Sequence, residues 1–302
     1  MALDVAYAIN GMPLDTDCFH VTVGSTFLAG ITVRRTVNTV PGRHGSVRSG
    51  MLPRFDERQL TIRALAHDDN SDAMARRFLH LCSMPSLTVT RSMTAMYGGD
   101  EGLPEQSTPL QLTSLQPDGD ERPFKSRRRM TAVFAMTDVF WHATPITRPI
   151  GASGRILPGA ITVPVDDSHP QGLATLRQAM PDDYPSILFD RLTDGWMGDA
   201  PITDPIIRLT APSHATAADP VSGTGITWSG SANGQFLYID PLHLHAWLAS
   251  SDSAWSGGSD VSQGLDFPSE PLEIWPAVDN SYSLSIDTNG TAPTIRFSPS
   301  WW

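Results

Sequence analysis

Cysteine is nearly absent. Cys18 and Cys82 are the only two in 302 residues, too few for a disulfide scaffold, and they read as thiols of a protein made in a reducing cytoplasm. Lysine is rarer still: Lys125 stands alone and every other basic side chain is Arg. That bias suits interfaces, where the guanidinium fork makes several directed bonds, but a GC-rich coding sequence is read as its larger cause. No run reaches the roughly 20 apolar residues of a membrane span. The opening Met1-Ala-Leu-Asp-Val-Ala-Tyr7 has no basic stretch and carries Asp4, so it does not read as a secretory signal. Charged residues make up only 18% against 40% hydrophobic, which excludes a disordered chain.

Turn-formers, by contrast, are abundant. With 24 Gly and 25 Pro, long helical bundles and coiled coils are excluded. Short stretches alternate apolar and polar residues between turns, among them Val21–Val23, Leu60–Arg63, Leu87–Thr90, Met130–Met136, Ile161–Val163, Ile206–Leu209, Phe236–Ile239, Leu284–Ile286 and Thr294–Phe297. A period of two is the signature of half-buried strands, so the chain is expected to be all-β with sandwich-like spacing. One main helix is expected over 71–84. Met74, Phe78, Leu81 and Cys82 form an apolar stripe, Asn70 or Ser71 caps it, Asp72 suits its positive end and Pro85 stops it. A second, weaker helix is expected over Gln171–Met180. Residues 98–130, ending in Arg127-Arg128-Arg129, read as a long loop or extension. Residues 146–159, rich in Gly and Pro, read as a linker between a first domain (1–145) and a second (160–302).

Charge separates the two halves. The net charge of −11 argues against nucleic acid as the main partner. Residues 1–150 carry 16 basic against 15 acidic side chains, whereas residues 151–302 carry 5 against 17. Seven of the eight Trp also lie in the second half. The first half has the balance of a surface that packs against protein; the second has that of a solvated, acidic exterior.

Signatures of chemistry are missing. There is no Gly-x-Ser-x-Gly elbow and no phosphate loop, and Gly223-Thr-Gly225 runs into Ile-Thr-Trp with no third Gly. Asp68, Asn70 and Asp72 mimic the start of a calcium loop, but Ala73 stands where the turn needs Gly and Leu79 where a bidentate Glu is needed. His243 and His245, with Asp240 nearby, make half a metal site at most, and no metal or other cofactor is expected. The paired carboxylates Asp56-Glu57, Asp166-Asp167 and Asp182-Asp183 sit at turns and point apart. Trp residues stack on sugars in some proteins, but in a Trp-rich sandwich they more often fill the core. An enzyme such as a wall hydrolase would need a carboxylate or nucleophile constellation that this sequence does not display, so none is expected.

Taken in order, these features resemble the distal tail proteins of long-tailed, non-contractile phages, also called minor tail proteins. Ile9-Asn-Gly-Met-Pro-Leu14 and Val40-Pro-Gly-Arg-His-Gly45 resemble the version found in phages of actinobacteria. Phe134-Ala-Met-Thr-Asp-Val-Phe-Trp141 is similar to the strand end that closes the family's first domain, with Val139 in place of the usual Pro. Ala200–Leu209, Gly225–Trp228, Gly234–Asp240, Asp279–Leu284 and Thr294–Phe297 resemble strands of the second.

The resemblance implies an N-terminal β-sandwich ring domain with one helix and an extended hairpin or belt reaching a neighbouring subunit. It also implies a galectin-like or jelly-roll C-terminal β-sandwich facing outward. Six copies would form a ring at the virion tail tip, after synthesis in the bacterial host cytoplasm. The ring would join the tail tube protein above to the tail-associated hub or baseplate protein below, and the tape-measure protein and DNA would leave through its lumen. No membrane and no sequence-specific nucleic acid partner is expected. Residues 98–130 are expected to be the belt or another interface extension, with Arg127, Arg128 and Arg129 pairing with a neighbour's acids; the other reading of those arginines is a solvated basic turn. The alternative is a carbohydrate-binding module for host wall glycans, with Trp196 and Trp255 as stacking platforms.

Overall fold

The computed structural model describes residues 5–26, 28–34, 37–38, 41, 44, 47–48, 52–93, 103–118, 127–150, 198–266, 270–277 and 282–302. The chain divides into two units between Thr144 and Pro145, with Trp302 grouped in the first.

Unit 1 contains β1 (Val5–Ile9), β2 (Met12–Pro13), β3 (Phe19–Val21), β4 (Val33–Arg34), β5 (Val37–Asn38), β6 (Val47–Arg48), β7 (Arg54–Phe55), β8 (Arg58–His67), α1 (Ser71–Cys82), β9 (Leu87–Met93), β10 (Leu103–Pro117), β11 (Arg127–Met136) and β12 (Trp141–His142). Seven strands lie in the order β2-β1-β9-β10-β11-β8-β3, every neighbouring pair antiparallel. The alternation in β8 and β11 puts Leu60, Ile62, Ala64 and Ala66, with Met130, Ala132, Phe134 and Met136, on one buried face. Each large apolar side chain buried there contributes about 1.5–3 kcal/mol. Helix α1 covers part of that face with Phe78, Leu81 and Cys82, and Phe78 meets Phe19 at 5.2 Å between ring centroids.

The helix lies where its periodicity predicts, but its expected side-chain cap does not form. Asn70 occupies the N-cap position without a side-chain hydrogen bond. The Asp72 carboxylate, in the first turn, pairs with Arg128 on β11. An ionic tie to the sheet therefore stabilises the positive end of the helix.

The expected extension at 98–130 is corrected over most of its described length. Residues 103–117 form β10, inside the sheet between β9 and β11, and 127–130 begin β11. Pro104, Pro109 and Pro117 hide this strand in the sequence, because proline signals a loop. Pro104 and Pro117 lie at the ends of β10, and Pro109 pairs with Thr88 of β9 just beyond the last β11 pair, Leu110–Met136.

Unit 2 contains β13 (Ile146–Pro149), β14 (Ile206–Thr210), β15 (His214–Ala218), β16 (Gly225–Ser229), β17 (Phe236–Asp240), β18 (His245–Ala249), β19 (Ser259–Asp260), β20 (Leu265–Asp266), β21 (Ser285–Thr288), β22 (Thr291–Phe297) and β23 (Ser300–Trp301). Two sheets, β13-β22-β14-β17-β18-β19 and β20-β16-β15-β21, enclose one apolar core. Ile207, Leu237, Ile239 and Ile295 come from the first sheet, and Ala217, Ile226 and Trp228 from the second. Gly198 makes a parallel bridge to Ser300 at φ +98°, where a Cβ would fall 1.8 Å from the Ser300 carbonyl oxygen. Only glycine fits there.

Residues 146–149 of the expected linker are the edge strand β13, paired with Thr294–Phe297. The closing Pro149 is allowed there because an edge strand has one unpaired side. The rest of that linker beyond Ile150, the expected helix at 171–180 and the strand at 161–163 lie outside the described residues.

Candidate assembly surface

The Arg run at 127–129 is divided by the two-residue period of β11. Arg128 lies on the helix side, where its Nε donates to Asp72 Oδ1 at 2.7 Å and its Nη1 to the Arg127 carbonyl at 3.1 Å. Arg127 and Arg129 lie on the opposite face and are exposed. That face continues through Thr131, Val133 and Ala135. Across the β8 pairing, His67, Leu65, Arg63, Thr61 and Gln59 stand opposite Arg127, Arg129, Thr131, Val133 and Ala135. Next in line, His20 of β3 stacks on His67 at 5.1 Å. Their carboxylate neighbours are Asp15, 3.8 Å from His20, and Asp68, 2.9 Å from His67. One end of this sheet face therefore gathers Arg63, Arg127, Arg129, His20 and His67, and of the three predicted arginines Arg127 and Arg129 are the ones turned to it.

A second feature was not legible as a site. Beyond β3 the chain runs along the edge of β8 as a strap. Thr22 and Thr26 donate their backbone N–H groups to the Arg63 and Thr61 carbonyls at 2.7 and 2.8 Å. Ser25 Oγ and Thr26 Oγ1 accept from the Arg63 and Thr61 N–H groups. Arg58, 2% exposed, donates through Nε and Nη2 to the Ala29 carbonyl at 3.2 and 2.6 Å, and through Nη1 to the Val139 carbonyl at 3.0 Å. A buried guanidinium thus fastens the strap from beneath, using hydrogen bonds worth more than neutral ones. The strap leads into two nested antiparallel ribbons, β4–β7 and β5–β6, each a separate two-stranded sheet among the described residues. An Arg34–Asp56 contact at 2.9 Å braces the base of the outer one.

In unit 2 the expected stacking residue Trp255 is half-buried. Its ring meets Tyr238 edge-on at 5.4 Å, and the guanidinium groups of Arg208 and Arg296 lie 5.5 and 5.9 Å from its centroid. Tyr238 in turn stacks on Trp247 at 5.3 Å, and Trp247 Nε1 donates to the Ala254 carbonyl at 3.0 Å. The indole is thereby engaged in packing between its own loop and the outer face of the sheet. Trp196 lies outside the described residues. Trp141, Trp228, Trp247 and Trp301 are buried, and Trp228 takes the core-filling role expected of this residue type.

The two histidines of the half metal site do not share a strand face. His243 lies in the β17–β18 turn, its Nδ1 2.7 Å from Asp240 Oδ2, while His245 begins β18 and stacks on Trp247 at 5.2 Å. Among the described residues no group of three or more His, Cys, Asp or Glu side chains converges to hold a metal ion. Burial pushes the Cys82 thiol up to about 12. Desolvation, with the Asp68 and Asp17 carboxylates, also raises that of Cys18. Both thiols therefore remain protonated at neutral pH.

No protein-family model matches the chain, and no curated protein matches it in sequence. Solved structures do match. A chain from the baseplate of phage P2, in its Ca-activated conformation, aligns over 98% of both chains at 11% identity, with a TM-score of 0.39. The Dit protein of phage SPP1, described as a paradigm of the hub adsorption apparatus in phages infecting Gram-positive bacteria, aligns over 99% of this chain and 100% of its own at 15% identity, with a TM-score of 0.55. In its described residues, this chain shares the fold of the SPP1 Dit protein.

Proposed function

We propose that the protein is a distal tail hub of a phage: a structural, non-enzymatic virion protein at the tail tip. Six copies form a ring between the tail tube protein and the tail-tip or baseplate proteins, and the tape-measure protein passes through its lumen. Unit 2, a galectin-like sandwich in this reading, is the outer docking domain. The observation that carries the proposal is the fold likeness to a hub protein over the whole of both chains. The charge distribution supports it, since a near-neutral first half suits subunit contacts and an acidic second half suits a solvated exterior.

In this reading the nested ribbons of 33–55 replace 98–130 as the element that reaches a neighbouring subunit. A closed ring of heterologous contacts needs such an element. Arg127 and Arg129 pair with a neighbour's carboxylates, while Arg128 stays with Asp72.

Light scattering after size exclusion, over a concentration series, tests the reading. The expected mass is six times 32.8 kDa, with rings visible in negative stain. Antibody labelling of tail tips on intact virions is the companion measurement, and absence of label along the whole tail would sink the proposal. In the ring, Arg127→Ser/Arg129→Ser is expected to weaken association at low salt, with the difference vanishing at high salt, while Arg128→Ser leaves it unchanged.

A further inference from the structure

Among the described residues one carboxylate is buried: Asp219, 1% exposed, at the start of the β15–β16 turn of unit 2. Its backbone N–H donates to the Thr224 carbonyl and its carbonyl accepts from the Gly223 N–H, both at 2.9 Å. Its Oδ2 accepts from the Ser222 N–H at 2.7 Å and from the Trp275 N–H at 3.3 Å. Its Oδ1 has no hydrogen-bond partner, and no Arg, Lys or His of the described residues forms an ion pair with it. A buried charge with neither counter-charge nor a full set of hydrogen bonds is costly, so this oxygen calls for a partner the chain does not supply.

The same turn is rich in oxygen. Ser222 Oγ and Thr224 Oγ1 lie 2.8 Å apart, and both donate to the Glu273 carbonyl, at 3.2 and 3.0 Å. Trp275 Nε1 donates to Glu273 Oε2 at 3.4 Å, so a second carboxylate stands beside the residue whose backbone binds Asp219. Oxygen donors of this kind select a hard cation over a transition metal. Among the described residues no third acidic, His or Cys side chain joins them. Neutral oxygens and water therefore complete the shell, which is the make-up of a calcium site of low affinity. Pro220, Val221 and Gly223 of this turn are exposed, so an ion has a way in. Residues 151–302 carry 17 acidic against 5 basic side chains and concentrate cations around it.

We propose that the β15–β16 turn binds a calcium ion, with Asp219 Oδ1 as its buried ligand and the Glu273 carboxylate as its second anionic one. The ion neutralises Asp219 and ties the turn to the segment around Trp275. The site stands independently of the hub reading.

The test uses the full chain, wild type and Asp219→Asn, freed of metal by chelation. At about 10 mM, Ca2+ is expected to raise the melting temperature of the wild type by roughly 5 °C, with a smaller shift from Mg2+ and none in Asp219→Asn. Tb3+ reports the place, because the Trp275 indole is close enough to sensitise its luminescence. Emission excited through tryptophan should appear in the wild type and be displaced by Ca2+. In Asp219→Asn the Tb3+ affinity should fall at least roughly tenfold. A wild type indifferent to Ca2+, an equal shift from Mg2+, or an Asp219→Asn variant that responds like the wild type overturns the proposal. If Asp219→Asn loses its β circular dichroism, Trp275→Phe decides instead. Sensitised emission must then fall while the calcium shift persists, and undiminished emission places the ion elsewhere and overturns the site.

Discussion

Among the described residues, unit 2 closes its core with two sheets, whereas unit 1 buries one face of its sheet and places charge inside. In unit 2, side chains from both sheets meet in one apolar cluster. In unit 1, Arg58 and Arg91 are each 2% exposed. Arg91 donates to Gln106 Oε1 at 2.7 Å, lies 4.2 Å over the Trp141 ring and reaches the Trp302 carbonyl at 3.4 Å. An apolar core is non-directional and tolerates no open side. Buried guanidinium groups are directional, and they fasten irregular backbone that no sheet ladder holds. The difference separates a two-sheet sandwich with an apolar core from a unit that fastens a strap with a buried guanidinium.

This contrast can be broken at either end. Trp228→Ala in unit 2 empties a site 1% exposed and removes the Nε1 bond to the Val261 carbonyl at 3.1 Å. The expected loss is about 4 kcal/mol, read as a shift of the chemical denaturation midpoint. Arg58→Ala in unit 1 strips the Ala29 and Val139 carbonyls of their donors. It should cost about 3 kcal/mol and, unlike Trp228→Ala, should speed hydrogen exchange in residues 22–34 beyond the rest of unit 1. Equal acceleration everywhere would deny Arg58 its role as a fastener.

Alkaline pH sharpens the comparison next. Cys82, under α1 in unit 1, has its thiol raised from 9.0 to about 12 by burial. The unfolded chain therefore releases its proton first, so this contribution is complete below pH 9.0 and is lost as pH rises toward 12. At about pH 10.5 the loss approaches 2 kcal/mol. Cys82→Ala should be less stable at neutral pH and flatter above pH 9.0, checked by melting temperature against pH. The smallest effect is a gain. Leu244 holds φ +51° in the β17–β18 turn, so Leu244→Gly should stabilise unit 2 by about 1 kcal/mol, and a lowered melting temperature would contradict that strain.

Much of the fold was legible from local pattern. Alternation located β8, β9, β11, β14, β17 and β22, and the stripe Phe78, Leu81, Cys82 located α1, because side-chain period follows directly from backbone geometry. Strand β10 was illegible, since its three prolines carry a loop signal that only the pairing with β9 and β11 overrules. Arg58 was illegible as well. Inside Glu57-Arg58-Gln59 it reads as a solvated charge, and its burial exists only because Ala29 and Val139, distant in sequence, bring their carbonyls to it.

The candidate surface follows the same division. Composition alone separated a near-neutral, Arg-rich half from an acidic one and singled out Arg127, Arg128 and Arg129. Only the register of β11 against β8, with Asp72 beyond it, decided that Arg128 turns inward and its two neighbours outward. Sequence by itself determined which residues alternate, where the helix lies and how charge is shared between the halves, because these are sums or periods over neighbours along the chain. Tertiary structure alone decided which of those residues meet, since a hydrogen bond or a buried contact joins positions that no local pattern relates.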